Sequence, residues 1–369
     1  MIKILVINTV NFGYGGGMSN VIMNYYHAMD RSDVQIDFAY SKYIDKTLKK
    51  ELESDGSKVY YLNSRMNKPL QYARDLIRII KNGKYDIVHA HGNSCTLALE
   101  MYSAKKGGAK VRIPHSHNTS CNHMIIHRIL RRLFDTSYTN AFACGEKAGE
   151  WLYNGKPFTV INNGVDVDRF KYNYSIREEY REKYKLNGKK VIGHIGHFSH
   201  QKNHKFLLEI FNSLYMFDNN YRLLLIGDGD LRKEIENQIN NLKLGDAIIL
   251  IGESLEVSQL LQAMDMIVMP SKFEGLPLTL IEAQSACVPC FVSDAVSKEV
   301  AITNLVKFIS LEKFPKEWAE QINVASFVNR EQLKNAVYSE IVEAGYSIKD
   351  NAEKLKKMYQ DFLNNNWEV

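Results

Sequence analysis

Nowhere in the 369 residues is there a run of about 18 apolar side chains, so no segment reads as a membrane-spanning helix. The opening MIKILVINTV is too short and turns polar too soon for a secretory leader, and it reads instead as a first strand. Charge of neither sign dominates. The 47 Lys and Arg against 42 Asp and Glu leave +5, too mild by itself for a nucleic-acid binder; an anionic ligand or an anionic membrane surface fits as well. Cysteine is scarce: five in so long a chain, an odd number, argue for a reducing cytoplasm. Two phosphate-binding signatures are also missing. No Gly-Lys-Ser/Thr follows a glycine loop, which excludes a P-loop, and Met18 stands where the dinucleotide fingerprint needs glycine. No repeat or low-complexity tract is visible.

What is present is ordinary globular composition, 45% hydrophobic and 24% charged, at a length that suggests two domains. Apolar runs bounded by turn residues recur at 3–7, 34–40, 58–62, 85–91, 110–117, 141–145 and 158–165. Between most of them lies helical spacing, such as Tyr72, Leu76, Ile79 and Ile80. The pattern restarts at 189–196, 221–229, 247–252, 265–271 and 288–294. Alternating strands and helices imply two α/β, doubly wound, Rossmann-like domains facing each other across a cleft. The expected division is 1–168, a linker at 169–188 that is charged and Tyr-rich, a second domain at 189–345, and a helix at 346–369 crossing back to the first domain.

Two places look built for an anion. Gly13, Gly15, Gly16 and Gly17 lie between the first strand and a helix, so backbone N–H groups can approach a ligand there. In the second half, HFSHQKNH puts Lys202 just ahead of a helix, and KFEGLP puts Pro277 at the start of another. A lysine and a helix N-terminus converging describe a diphosphate site without a metal. Glu282 lies more than a turn into that helix and can accept two ribose hydroxyls. Glu274 precedes it and is placed for a second polyol.

These segments resemble the family 4 retaining glycosyltransferases of the GT-B fold, close to bacterial capsular and exopolysaccharide enzymes. EGLPLTLIEA matches the family's Glu–seven residues–Glu motif, and IGHIGHFSHQKNHKFLLEIF its phosphate-binding strand–loop–helix. LLLIGDGDLR, VINNGVDVDRF and GYGGGMSNVI match three further segments. The resemblance implies a nucleoside-diphosphate-sugar donor, UDP-linked in most members, and retention at the anomeric carbon. It implies Glu274, His117 and Lys202 as the catalytic groups. Gly16, Gly17, His197, Lys202, Ser254, Gly275, Leu276, Pro277, Leu278 and Glu282 would hold the donor. No metal and no other cofactor is expected. The implied product is a hexose or N-acetylhexosamine joined to a lipid-linked or oligosaccharide acceptor in surface polysaccharide synthesis. A sugar-nucleotide epimerase, or a degenerate non-catalytic partner subunit, is the alternative.

Several residues depart from that pattern or imitate others. His197 stands where the family carries arginine, and histidine is shorter and not permanently charged. Cys287 and Cys290 imitate half a zinc site. Asp166 and Asp168 imitate a metal-binding Asp-x-Asp but are expected to form a turn. His115, His117, His123 and His127 crowd one region, where a catalytic or loop histidine is expected rather than a metal. No carboxylate is available as a nucleophile on the first-domain side. Front-face attack is therefore expected, with the leaving diphosphate taking the acceptor's proton. The helix at 123–134 reads as amphipathic. Ile125, Ile126, Ile129, Leu130 and Leu133 form one face, and His127, Arg128, Arg131 and Arg132 the other. Peripheral contact with an anionic membrane at the inner face of the plasma membrane is the expectation it raises, against a solvated basic face. No nucleic-acid partner is expected.

Overall fold

The structure is a computed structural model that describes residues 1–13, 17–121, 123–325 and 328–364. The chain forms two compact units, Met1–Gly164 with Ile348–Val369, and Val165–Ser347.

The first unit is built on seven parallel strands: β1 (Ile2–Asn8), β2 (Val34–Tyr40), β3 (Val59–Tyr61), β4 (Ile87–Gly92), β5 (Val111–Ser116), β6 (Phe142–Ala143) and β7 (Thr159–Val160). Their order is β3-β2-β1-β4-β5-β6-β7. The central strands are buried along their length, because helices cover both faces of a parallel sheet. The expected stripe lies on the helix Pro69–Gly83. Tyr72, Leu76 and Ile80 are fully buried and Ile79 packs at the edge of the same cluster. Proline opens that helix and Lys84, at φ 53°, ends it in the left-handed region. The helix Ile348–Leu363 also belongs to this unit. Lys356 Nζ lies 2.8 Å from Asp30 and 2.5 Å from Asp33, and Tyr359 and Phe362 are buried. Phe362 meets the ring of Phe142 at 5.9 Å.

The second unit repeats the plan with six parallel strands: β8 (Lys190–Ile195), β9 (Tyr221–Ile226), β10 (Ile248–Gly252), β11 (Met266–Met269), β12 (Cys290–Ser293) and β13 (Val306–Ile309). Their order is β10-β9-β8-β11-β12-β13. The edge strand β13 escapes sequence reading. It has four residues, pairs only with β12 and is buried at only one of them.

The expected linker at 169–188 is corrected by the structure. The boundary falls at Gly164/Val165, and the segment folds into the helices Val167–Phe170 and Tyr174–Lys183 within the second unit. Phe170, Tyr180 and Leu186 join its core. Arg177 and Arg181 pair with Asp265 at 2.5 and 3.2 Å, and Arg181 also donates to the carbonyls of Ala263 and Leu186 at 2.9 and 2.8 Å. The charges that suggested a solvated connector are partly buried, and they satisfy helix-end carbonyls.

Candidate active site

The loops that follow β8 and β11 are tied to each other. Lys272 N–H donates to the Gln201 carbonyl at 2.8 Å, and the Gln201 amide donates to the Phe273 carbonyl at 3.0 Å. Asn203, held at φ 58°, donates to the Pro270 carbonyl at 3.1 Å. This lacing sets Lys202 Nζ 2.7 Å from Glu274 Oε1, with the side chains only 15% and 10% exposed. Gly196 makes room for the lysine stem: a Cβ there would lie 2.8 Å from Lys202 Cε. The Glu274 backbone is pinned by its bridge to Val296 and by the Ser297 N–H at 3.3 Å.

Around this ion pair the unit leaves polar atoms unused. Among its described residues, the buried side-chain atoms without a hydrogen bond include His194 Nε2, Ser271 Oγ and, beyond the Lys202 contact, Glu274 Oε1; the buried His204 ring beside them approaches the Ser199 backbone. All lie at the carboxyl ends of β8 and β11 or on the loops and helix start that follow them. Unpaired buried polar atoms are costly, and in this unit they gather at the carboxyl ends of the strands, which makes that end the candidate site. Burial and the nearby Lys202 hold His204 down to about 4.

Pro277 occupies the N-cap of the helix Leu278–Ser285, one position ahead of the first turn, and Gly275 and Leu276 lead into it. No side chain caps that helix. Glu282, in its second turn, is only partly accessible, and burial pushes its carboxyl up to about 7 against the opposing influence of Arg169. Ser254 accepts the Glu256 N–H at 3.0 Å and so shapes its own turn. His197 is exposed; its ring edge would lie 2.7 Å from a Cβ on Gly229, which is held at φ 157°. In the first unit, Gly17 begins the helix Gly17–Ala28 with open space around it, and Gly16 lies outside the described residues.

His117 follows β5 and is not alone. The strand register pairs His91 with His115, and hydrogen bonds run diagonally from His89 to His115 and from His91 to His117, forming two rungs of imidazoles. His91 Nδ1 is 2.8 Å from His117 Nε2, and His89 Nε2 is 3.1 Å from His115 Nδ1. Burial pulls all four well below the usual histidine value, His89 and His117 to about 3. Sequence reading missed His89 and His91. The signal was the repeated His-x-His at the ends of two strands, HAH and HSH. Ligand nitrogens of His89, His91 and His115 lie within 4.8 Å of one another, the grouping among the described residues that could hold a metal ion. Much of that donor capacity is spent: His89 bonds His115 and the Tyr359 hydroxyl, and His91 bonds His117.

The imitators resolve locally. Asp166 caps the helix Val167–Phe170 by accepting the Arg169 N–H at 3.1 Å. Cys287 and Cys290 are free, buried thiols, and burial raises both, Cys287 to about 11. His127 is buried, stacks on Trp151 at 5.0 Å and accepts the Cys95 N–H at 3.2 Å, while His123 is exposed. The expected two faces of the 123–134 segment are corrected as well. In the helix Met124–Asp135, His127 and Phe134 face inward, and Arg131 donates to the Leu152 carbonyl at 2.5 Å. Ile125 and Ile129 are 76% and 72% exposed, beside exposed Arg128 and Arg132. The apolar stripe faces out, and part of the basic face is used for packing.

Two parallel-sheet Rossmann-like units in series define the GT-B class. The crystal structure of Anabaena Alr3699/HepE in complex with UDP-glucose matches with a TM-score of 0.76, covering 98% of this chain and 100% of that one at 17% identity. The family description "Glycosyl transferases group 1" fits residues 176–339, and "Glycosyltransferase Family 4" fits residues 15–169. EpsF of Bacillus subtilis (strain 168), named a glycosyltransferase, is 32% identical over 93% of both chains. An Escherichia coli UDP-Gal:alpha-D-GlcNAc-diphosphoundecaprenol alpha-1,3-galactosyltransferase is 25% identical over 82% of both. The chain belongs to glycosyltransferase family 4. No helix among the described residues is long and apolar enough to cross a membrane.

Proposed function

We propose that the chain transfers a hexose or N-acetylhexosamine from a UDP-sugar to a lipid-linked or oligosaccharide acceptor in surface polysaccharide synthesis, with retention and without a metal. The observation that carries this reading is the Lys202–Glu274 contact amid unsatisfied buried polar atoms. In this reading the diphosphate takes Lys202 and the N–H groups of Gly275, Leu276 and Leu278, with Pro277 shaping the turn between them; Glu282 takes the ribose, and Glu274 takes sugar hydroxyls. Ser254, His197, Gly16 and Gly17 complete the surroundings of the donor, and His117 faces the reacting sugar. As the bond from the anomeric carbon to the diphosphate oxygen breaks, the acceptor oxygen bonds the same face of that carbon. Its proton passes to the departing diphosphate, whose growing charge Lys202 stabilises. The UDP-linked donor and diphosphoundecaprenol-linked acceptor in the E. coli relative's name, and the UDP-glucose in the Anabaena structure, support the donor and acceptor classes.

The outward Ile125, Ile126, Ile129 and Leu133, flanked by Arg128 and Arg132, support peripheral contact with anionic lipid. The test is UDP release from UDP-glucose, UDP-galactose and UDP-N-acetylglucosamine, with and without a polyprenyl-diphosphate saccharide. Product linkage is read by NMR, with and without EDTA. Acceptor-dependent release that survives chelation and yields an α-linkage is expected. Free epimerised nucleotide, an inverted linkage or rescue by manganese would each overturn a part of the reading.

A further inference from the structure

The two histidine rungs of the first unit do different things. In the inner one both nitrogens of His89 are used: Nδ1 meets the Tyr359 hydroxyl at 2.7 Å and Nε2 meets His115 Nδ1, while His115 Nε2 is buried without a hydrogen bond. What sets the outer one apart is His117, the one ring of the four that is only partly buried. His117 spends Nε2 on His91 and stacks on the His115 ring at 4.3 Å, so Nδ1 is its remaining polar edge. His91 is itself fixed. It is buried, stacks on His89 at 4.3 Å, and its carbonyl accepts the Thr9 hydroxyl at 2.7 Å.

An imidazole ring turned by 180° fills almost the same space, so stacking alone does not choose which nitrogen faces a substrate. A hydrogen bond does. Neutral imidazole offers one donor and one acceptor, so the His91–His117 bond couples the two tautomers: where one ring donates, the other accepts. We propose that His91 is a positioning residue for the transfer reaction: it locks the ring and tautomer of His117 so that Nδ1 meets the sugar hydroxyls. This rests on the reading of His117 as the histidine that faces the sugar.

The test uses the full chain labelled with 15N-histidine. In the wild type, His117 should show a single neutral tautomer. His91→Phe keeps the stacked ring and removes the hydrogen bond. It should mix the His117 tautomers and lower kcat about tenfold, the effect of one hydrogen bond, with donor KM changed by less than about threefold. The assay is UDP release from the three UDP-sugars named above. His91→Asn, whose amide reaches the place of Nδ1, should restore most of the rate, and His91→Gln, whose amide reaches past it, should not. An unaltered tautomer and rate in His91→Phe overturns the proposal. So do equal losses in His91→Asn and His91→Gln, which decide the matter if His91→Phe fails to fold. His117→Ala separates the two ideas: full activity there removes the role of His117 itself, whatever His91 does.

Discussion

The two units use one plan for opposite chemistry. Around the first strand of each, the order β2-β1-β4-β5 recurs as β9-β8-β11-β12. In both, polar groups gather at the carboxyl ends of the strands, where such sheets bind ligands. The second unit gathers charge there, with Lys202 after β8 and Glu274 after β11. The first gathers neutral imidazoles at the ends of β4 and β5. In the proposed function, a diphosphate would call for the cation of the second unit, and sugar hydroxyls for the fixed neutral donors and acceptors of the first. The backbone supplies the place, and side-chain charge assigns it.

The sharpest way to break the comparison is to remove the charge. Lys202→Met should lower turnover by about 100-fold or more, the scale of losing a group that stabilises transition-state charge. Gly196→Ala should approach the same defect with Lys202 intact, because the new Cβ displaces the lysine stem. Initial rates of UDP release measure both.

Glu282→Gln should give two effects of opposite sign. UDP binding should weaken by about 1.5–3 kcal/mol in calorimetry, the range for hydrogen bonds to a charged group. Stability should rise. A carboxyl raised to about 7 in the fold prefers its proton, so its contribution is complete below the ordinary value of about 4.3 and is lost as pH climbs through 7. The Gln variant, never charged, should gain roughly 3 kcal/mol over wild type at pH 8, and the gain should vanish toward pH 4. Thermal melts at both pH values check the sign.

The outward stripe tests the other unit. Ile125→Glu with Ile129→Glu should abolish sedimentation with phosphatidylglycerol vesicles and leave stability within about 0.5 kcal/mol, since both side chains already face solvent. The smallest effect is expected at His197. His197→Arg should tighten UDP binding by about three- to tenfold if that side chain reaches phosphate, because guanidinium stays charged and can grip two oxygens. Unchanged affinity would place His197 outside the donor site.

Long apolar runs made the sheets legible. All twelve expected strands exist; in the central ones burial on both faces forces continuous hydrophobic stretches, while β3, β7 and β10 are only partly buried. The thirteenth, Val306–Ile309, had no such signal at a half-exposed edge. In the candidate site, Lys202, Glu274 and Glu282 were visible through their neighbouring glycine and proline. Their physical states were not: the 2.7 Å ion pair and the raised Glu282 carboxyl depend on which loops lace together. Tyr180 and Arg181 misled as linker residues, since composition does not reveal that a guanidinium is caught by buried carbonyls. The Met124–Asp135 helix showed its period but not which side turns inward.

The first unit is discontinuous in the chain, and that sets an order of assembly. Its sheet is complete by Val160, yet the helix that carries Tyr359 and Lys356 begins only at Ile348. On the ribosome the second unit therefore has every strand before the first has its last helix. Until then His89 lacks the Tyr359 hydroxyl and the pocket for Phe362 stands open against Phe142. A stop codon just after residue 345 would leave the second unit nearly whole. It would strip the first unit of the piece that seals its histidines, so a short truncation far along the chain should act as a lesion in the part synthesised first.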